Sequence, residues 1–263
     1  MKLSFSTLGC PGWDIPAVAR KAAEYGFDGV ELRVGGDKHV DPAMDAAQRA
    51  QTRSMFELNG VAICCLAGYT TFWDGAAGAD FLARQSAALI RNAELAHDLY
   101  SPLIRTFMGG EDFPEDFPRV AEALHNCAEA ARALGVTVVL ETHDSVRTGK
   151  QARGIADRAD SPGFGVLWDI LQPVLAGEAP AETFRHLIGV LKHVQIKDAV
   201  GHKQTLPGEG NLPIAEILGL LADGGYGGYL SFEWEKLWIP ELPEPETAFP
   251  RYMEFMRKLL SGR

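Results

Sequence analysis

Cysteine is scarce: the 263 residues hold four, Cys10, Cys64, Cys65 and Cys127. None stands in a CxxC pair, and no Cys/His spacing matches a zinc knuckle. Buried, reduced thiols of a cytoplasmic protein are therefore expected. Long apolar runs are missing too. No uncharged stretch reaches the ~18 residues a membrane span needs. The opening Met1–Cys10 is too polar, and too soon broken by Pro11-Gly12, for a secretory leader. Positive charge is in deficit, with 25 Lys plus Arg against 35 Asp plus Glu and a net charge of −10. So acidic a surface repels phosphate backbones and anionic lipid, and neither nucleic acid nor a membrane is expected as a partner. The balance of 46% hydrophobic and 23% charged residues excludes a coiled coil, a collagen-like fibre and a long disordered chain.

What is present is alternation. Eight runs rich in β-branched and aromatic residues, flanked by Gly or Pro, read as strands: Lys2–Ser6, Asp28–Leu32, Val61–Leu66, Leu103–Phe107, Val136–Glu141, Phe164–Asp169, His193–Lys197 and Tyr229–Glu233. Their spacing averages roughly 33 residues, the size of a βαβ unit. Between them lie helical periodicities over Ile15–Tyr25, Phe81–Leu99, Glu115–Leu134, Ile214–Leu221 and Thr247–Leu260, with a weak, short one near Ala152–Arg158. No linker or composition break divides the chain, and the Pro-rich Ile239–Pro250 reads as a loop or lid. The expected fold is α/β: a single (β/α)₈ TIM-barrel domain over residues 1–263.

Active sites of such barrels lie at the C-terminal ends of the strands. There the last four strands present Glu141, Asp169, Gln195 and Glu233 near one rim. Three converging carboxylates repel unless something neutralises them. A divalent cation is the simplest neutraliser, and a metal-free salt-bridge network through Lys197, His143 and Arg105 is the competing one.

These residues carry a resemblance. Glu141 ending the fifth strand, Trp168-Asp169 ending the sixth, Lys197-Asp198 in the seventh and Ser231-Phe232-Glu233 in the eighth resemble the sugar phosphate isomerase/epimerase superfamily, the xylose isomerase-like TIM barrels. Gly26-Phe27-Asp28-Gly29-Val30-Glu31-Leu32-Arg33 is similar to that family's second strand, and Leu206-Pro207-Gly208-Glu209-Gly210 to its loop after the seventh. The resemblance spans essentially the whole chain. It implies a metal held by Glu141, Asp169, Gln195 and Glu233, with Glu141 and Glu233 as the catalytic bases. Two positions depart from the family pattern: Gln195 replaces the usual His ligand, and Gln172 replaces a substrate-contacting His. An all-oxygen donor set suits Mn²⁺ first and Mg²⁺ second, with Zn²⁺ or Co²⁺ less favoured.

Such a site moves protons next to a carbonyl. Two bases on opposite faces give epimerisation, one shuttling base gives isomerisation, and loss of a β-hydroxyl gives dehydration. His143 and Lys197, two residues beyond Glu141 and Gln195 on their strands, are candidate acid/base or donor residues. Glu209 is a candidate over the mouth. Phe72, Trp73, Trp168, Trp234 and Trp238 are candidates for aromatic walls. The acidic stretch Glu235–Glu246 disfavours phosphate, so the expected small-molecule substrate is a non-phosphorylated sugar, polyol or hydroxy-keto acid. A 3-dehydroshikimate dehydratase-like lyase, drawing on Arg33, Arg105, Arg147 and Lys150, is the nearest alternative. A non-catalytic sugar-binding descendant is another. An endonuclease-like relative fails on charge and on its missing histidines. Homo-oligomerisation stays open.

Overall fold

The computed structural model describes residues 1–35, 39–112 and 117–262. Eight parallel strands close into a barrel: β1 (Lys2–Ser6), β2 (Gly29–Arg33), β3 (Ala62–Ala67), β4 (Leu103–Thr106), β5 (Thr137–Glu141), β6 (Phe164–Asp169), β7 (Leu191–Ile196) and β10 (Tyr229–Phe232). β1 pairs with both β2 and β10, which seals the ring. β8 (Asp198–Val200) and β9 (Lys203–Thr205) form an antiparallel hairpin above β7 that the sequence reading did not anticipate.

The helices sit outside the ring. α1 (Ile15–Tyr25) has the expected bounds, because Asp14 caps its start, accepting from the Ala17 amide at 2.9 Å, and Gly26 ends it at a left-handed φ of 79°. α3 (Ala79–Asp98), α4 (Pro118–Ala133), α8 (Ile214–Asp223) and α9 (Pro245–Ser261) fall within a few residues of expectation. Glu115, the expected start of α4, lies outside the described residues.

Three helices were not foreseen. α2 (Ala46–Leu58) buries only Thr52 and Phe56, so it shows little apolar stripe. α6 (Leu171–Leu175) is very short, and α7 (Pro180–Leu187) buries Thr183 and Leu187. The expected weak helix is α5 (Gly149–Ala159), longer than its few apolar residues suggest. A capping box starts it: the Thr148 hydroxyl accepts from the Gln151 amide, and the Gln151 side chain accepts from the Thr148 amide, both at 3.1 Å.

Most of the core lies between ring and helices, with Phe5, Phe232, Phe249 and Tyr252 among its largest members. A separate small cluster of Cys65, Leu103, Val139 and Leu167 is also fully enclosed. On a strand, residues two apart share a face. Leu103, Val139 and Leu167 therefore stand under Arg105, Glu141 and Asp169, and form an apolar floor for the polar rim.

Candidate active site

The carboxylate oxygens of Glu141, Asp169 and Glu233 lie within 4.8 Å of one another, and all three residues are buried. β5 and β6 end on the first two, and Glu233 follows the last residue of β10. Two cations are threaded among them. Arg105, from β4, donates to Glu141 Oε2 at 2.8 Å and lies 3.7 Å from Glu233 Oε1. Lys197 donates to Glu233 Oε2 and, at 2.9 Å, to Glu235 Oε1. It also lies 3.2 Å from Asp169 Oδ2, in ionic contact but out of hydrogen-bonding line, so that oxygen keeps no hydrogen bond.

Gln195 connects this cluster to a second one. Its amide nitrogen donates to Glu31 Oε1 at 3.0 Å and to Glu233 Oε1 at 3.1 Å, while Oε1 is buried and unpartnered. Glu31 Oε2 in turn meets His193 Nε2 at 3.0 Å. Burial pushes the Glu31 carboxyl up, but the His193 bond and the charges of His193 and Arg105 outweigh it, and the net shift is downward. Cys65 lies beside this pair, and burial first, then Glu31, holds its thiol well above the usual range. Glu31 and His193 thus satisfy each other beside a neutral thiol.

Burial dominates the carboxyls of the main cluster. It drives Glu141 up to about 8, helped by the charges of Glu233 and Asp169 and opposed by Arg105. Glu233 is also raised, by burial and by Asp169 and Glu235 against Lys197. His143 follows β5 and bonds Asp144 Oδ1 at 2.7 Å. Burial lowers its pKa, but Asp144 and the Glu141 charge more than offset that and lift it to about 9.

The residues fit a hard cation. Three buried carboxyls bring oxygens within 4.8 Å of one another, and burial and this crowding raise Glu141 and Glu233 even with Arg105 and Lys197 beside them, so an added cation would stabilise their charged forms. Two buried oxygens, Asp169 Oδ2 and Gln195 Oε1, have no hydrogen-bond donor among the described residues. Carboxylate and amide oxygens are donors that Mn²⁺ and Mg²⁺ accept.

Above the cluster opens a cavity of about 400 Å³, walled by Tyr69, Phe107 and Trp238 and reached by Arg105, Glu141, His143, Glu233 and Glu235. The four expected strand-end residues thus come together. His143 lines the cavity, whereas Lys197 is 1% exposed and tied to carboxylates. Of the expected aromatic walls only Trp238 serves. Phe72, Trp168 and Trp234 are core residues, fully buried. Glu209 and Trp234 border a different cavity behind the β8–β9 hairpin. Gln172 borders another, with Arg147 and His202. Asp198 organises the loop instead, its carboxylate accepting from the amides of Gly208 at 2.8 Å and Gly210 at 3.0 Å. Tyr69, Phe107, Glu31 and His193 were missed. Glu31 and His193 sit one strand step below the rim, and only the i, i+2 parity with Arg33 and Gln195 marks them.

The family model described as a xylose isomerase-like TIM barrel matches residues 19–259. The chain belongs to that family. Fructoselysine 3-epimerase of Escherichia coli O157:H7 is 26% identical over 277 aligned positions, covering 99% of this chain and 98% of the relative. Inosose dehydratase of Bacillus thuringiensis (strain Al Hakam) is 26% identical over 202 positions, covering 68% and 67%. Among solved structures, L-ribulose 3-epimerase superposes with a TM-score of 0.80 at 18% identity, covering 99% of this chain and 95% of that one, a likeness of fold. The relatives are named as epimerases and dehydratases, and this xylose isomerase-like barrel stands with the enzymes of its superfamily.

Proposed function

We propose that this barrel, as one domain, is a divalent-metal-dependent isomerase or epimerase. It acts by proton transfer next to the carbonyl of a non-phosphorylated sugar, polyol or hydroxy-keto acid. The observation that carries this is the meeting of buried Glu141, Asp169 and Glu233, their oxygens within 4.8 Å of one another, at the base of an aromatic-walled cavity. Glu141, Asp169, Glu233 and the unpartnered Oε1 of Gln195 would hold the cation. When bound, Mn²⁺ or Mg²⁺ supplies Lewis-acid polarisation of the carbonyl.

The rest is the work of the chain itself. Glu141 and Glu233 stand on strands three places apart around the ring, so they approach a substrate lying between them from different sides. One carboxylate removes the proton and the other returns it, which inverts the carbon. His143, in the cavity wall, donates a hydrogen bond to a substrate oxygen. Tyr69, Phe107 and Trp238 exclude water from the reacting carbon. Lys197 and Arg105 hold the carboxylates apart and oriented.

Dehydration is the second reading, favoured by the place of His143 in the cavity wall, where its protonated ring is an acid able to protonate a departing hydroxyl. Both readings share proton abstraction. The experiment is solvent-deuterium incorporation into a panel of keto-sugars and hydroxy-keto acids, with Mn²⁺ and after chelation. Metal-dependent exchange with recovered isomer supports the first reading, and an unsaturated product supports the second. Absence of exchange on every compound overturns both.

A further inference from the structure

Arg33 ends β2 beside the candidate site and is 3% exposed. Its Nε donates to the Tyr69 hydroxyl at 2.7 Å, and its guanidinium carbon lies 5.6 Å from the ring centres of both Tyr69 and Trp238. Those two aromatics wall the site cavity, so Arg33 stands directly behind that wall. Nη2 of Arg33 is buried without a hydrogen-bond partner. Among the described residues no carboxylate pairs with this guanidinium, although a buried cation is costly without a counter-ion.

Arg33 borders a second cavity of about 350 Å³, shared with Trp13, Asp14, His39 and Leu237. The Tyr69–Trp238 wall stands between it and the site cavity: Arg33 lines this cavity and packs against those two rings, which line the other. His39 adds a second buried, unpartnered atom there. Its Nε2 lies 3.0 Å from the Trp13 carbonyl and donates to it, which leaves Nδ1 as an unused acceptor. The cavity thus offers one cationic donor and one neutral acceptor, Arg33 Nη2 and His39 Nδ1, neither hydrogen-bonded among the described residues.

We propose that this cavity binds a carboxylate at the end of the substrate remote from the reacting carbon, with Arg33 Nη2 donating to it and His39 Nδ1 accepting from a neighbouring hydroxyl. The proposal rests on the functional reading above and narrows its substrate class to polyhydroxy keto acids. A neutral hydroxyl on Arg33 would add no counter-ion to a guanidinium that has none among the described residues. A phosphate dianion is disfavoured, because Arg33 is the only Lys or Arg among the described lining residues and Asp14 shares the cavity. A charge-assisted hydrogen bond in a buried setting predicts about a 10- to 100-fold preference for the acid.

The test has two arms on the full chain, wild type, Arg33→Met and Arg33→Lys. Calorimetric titration compares gluconate with glucitol at matched ionic strength, and deuterium exchange compares 5-ketogluconate with fructose. Support is a gluconate preference of about 10- to 100-fold, abolished by Arg33→Met and partly kept by Arg33→Lys, and a matching collapse of the 5-ketogluconate/fructose ratio of kcat/KM. Equal binding of gluconate and glucitol by the wild type, or a preference that survives Arg33→Met, overturns the proposal. Exchange on fructose without any gluconate preference refutes this site and leaves the functional reading standing. Arg33-dependent gluconate binding without exchange on any substrate does the reverse.

Discussion

The ammonium of Lys197 lies 3.2 Å from Asp169 Oδ2 while it donates to Glu233 and Glu235, so one buried cation joins carboxylates from the ends of two barrel strands. Breaking a buried ion pair from one side leaves uncompensated charge and costs about 3–5 kcal/mol. Lys197→Met is therefore expected to lower the melting temperature of chelated protein sharply. Millimolar Mn²⁺, supplying the missing positive charge, should recover much of the loss. Calorimetry with and without chelator checks this, and a variant as stable as wild type in chelator would contradict the network.

Glu141→Gln and Glu233→Gln each remove a base while keeping an oxygen at the same place. General acid–base help is worth roughly 10²–10⁴-fold. Each variant should lose about that factor in kcat on the true substrate while keeping the fold, as measured by steady-state kinetics beside circular dichroism. Near-wild-type turnover in either variant would remove that residue from the chemistry.

Stability of the metal-free protein should fall with rising pH. Glu141 is raised from its ordinary value to about 8, so the folded chain binds more protons than the unfolded one between about pH 4.5 and 8. That contribution is complete below the unfolded value and is lost as pH climbs through 8. His143, raised to about 9, adds a loss of the same sign between about pH 6.5 and 9. Melting temperatures of chelated protein from pH 6 to 9 should decline, and His143→Asn should flatten the upper part of that decline. A rise over the same range would show that the sign is wrong.

The metal preference turns on Gln195. With oxygen donors only, affinity should favour Mn²⁺ over Mg²⁺, and Gln195→His should gain Zn²⁺ and Co²⁺ affinity by introducing an imidazole. Competitive titration with a fluorescent chelator reads both affinities directly. Zinc bound tightly by the wild type, with no gain in the variant, would contradict the assignment.

Strand content was the legible part. β1 and β6 have the bounds their composition predicts, because buried parallel strands are short apolar runs with clear Gly or Pro edges. The strand-end carboxylates could be read as one cluster because a barrel puts every strand terminus on one rim. What was hidden depends on partners from elsewhere in the chain. α2 carries almost no apolar stripe, and the hairpin β8–β9 is only three residues a side. Lys197 could not be separated from a substrate donor until Asp169, Glu233 and Glu235 were seen around it. The aromatic walls were misassigned for a related reason: Trp168 and Trp234 have the composition of a wall but the burial of a core.

The seam of the ring has a consequence for biosynthesis. β1 hydrogen-bonds to β10, more than two hundred residues later in the sequence, as well as to β2. During translation one edge of β1 and one edge of β7 stay unpaired until residues 229–232 have been made, and open strand edges recruit other chains. A nascent chain stalled between β7 and β10 would have Glu141, Asp169 and Lys197 in place without Glu233 to meet them. Ring closure and completion of the carboxylate cluster are therefore one event, and a truncated chain should aggregate rather than persist as a partly active enzyme.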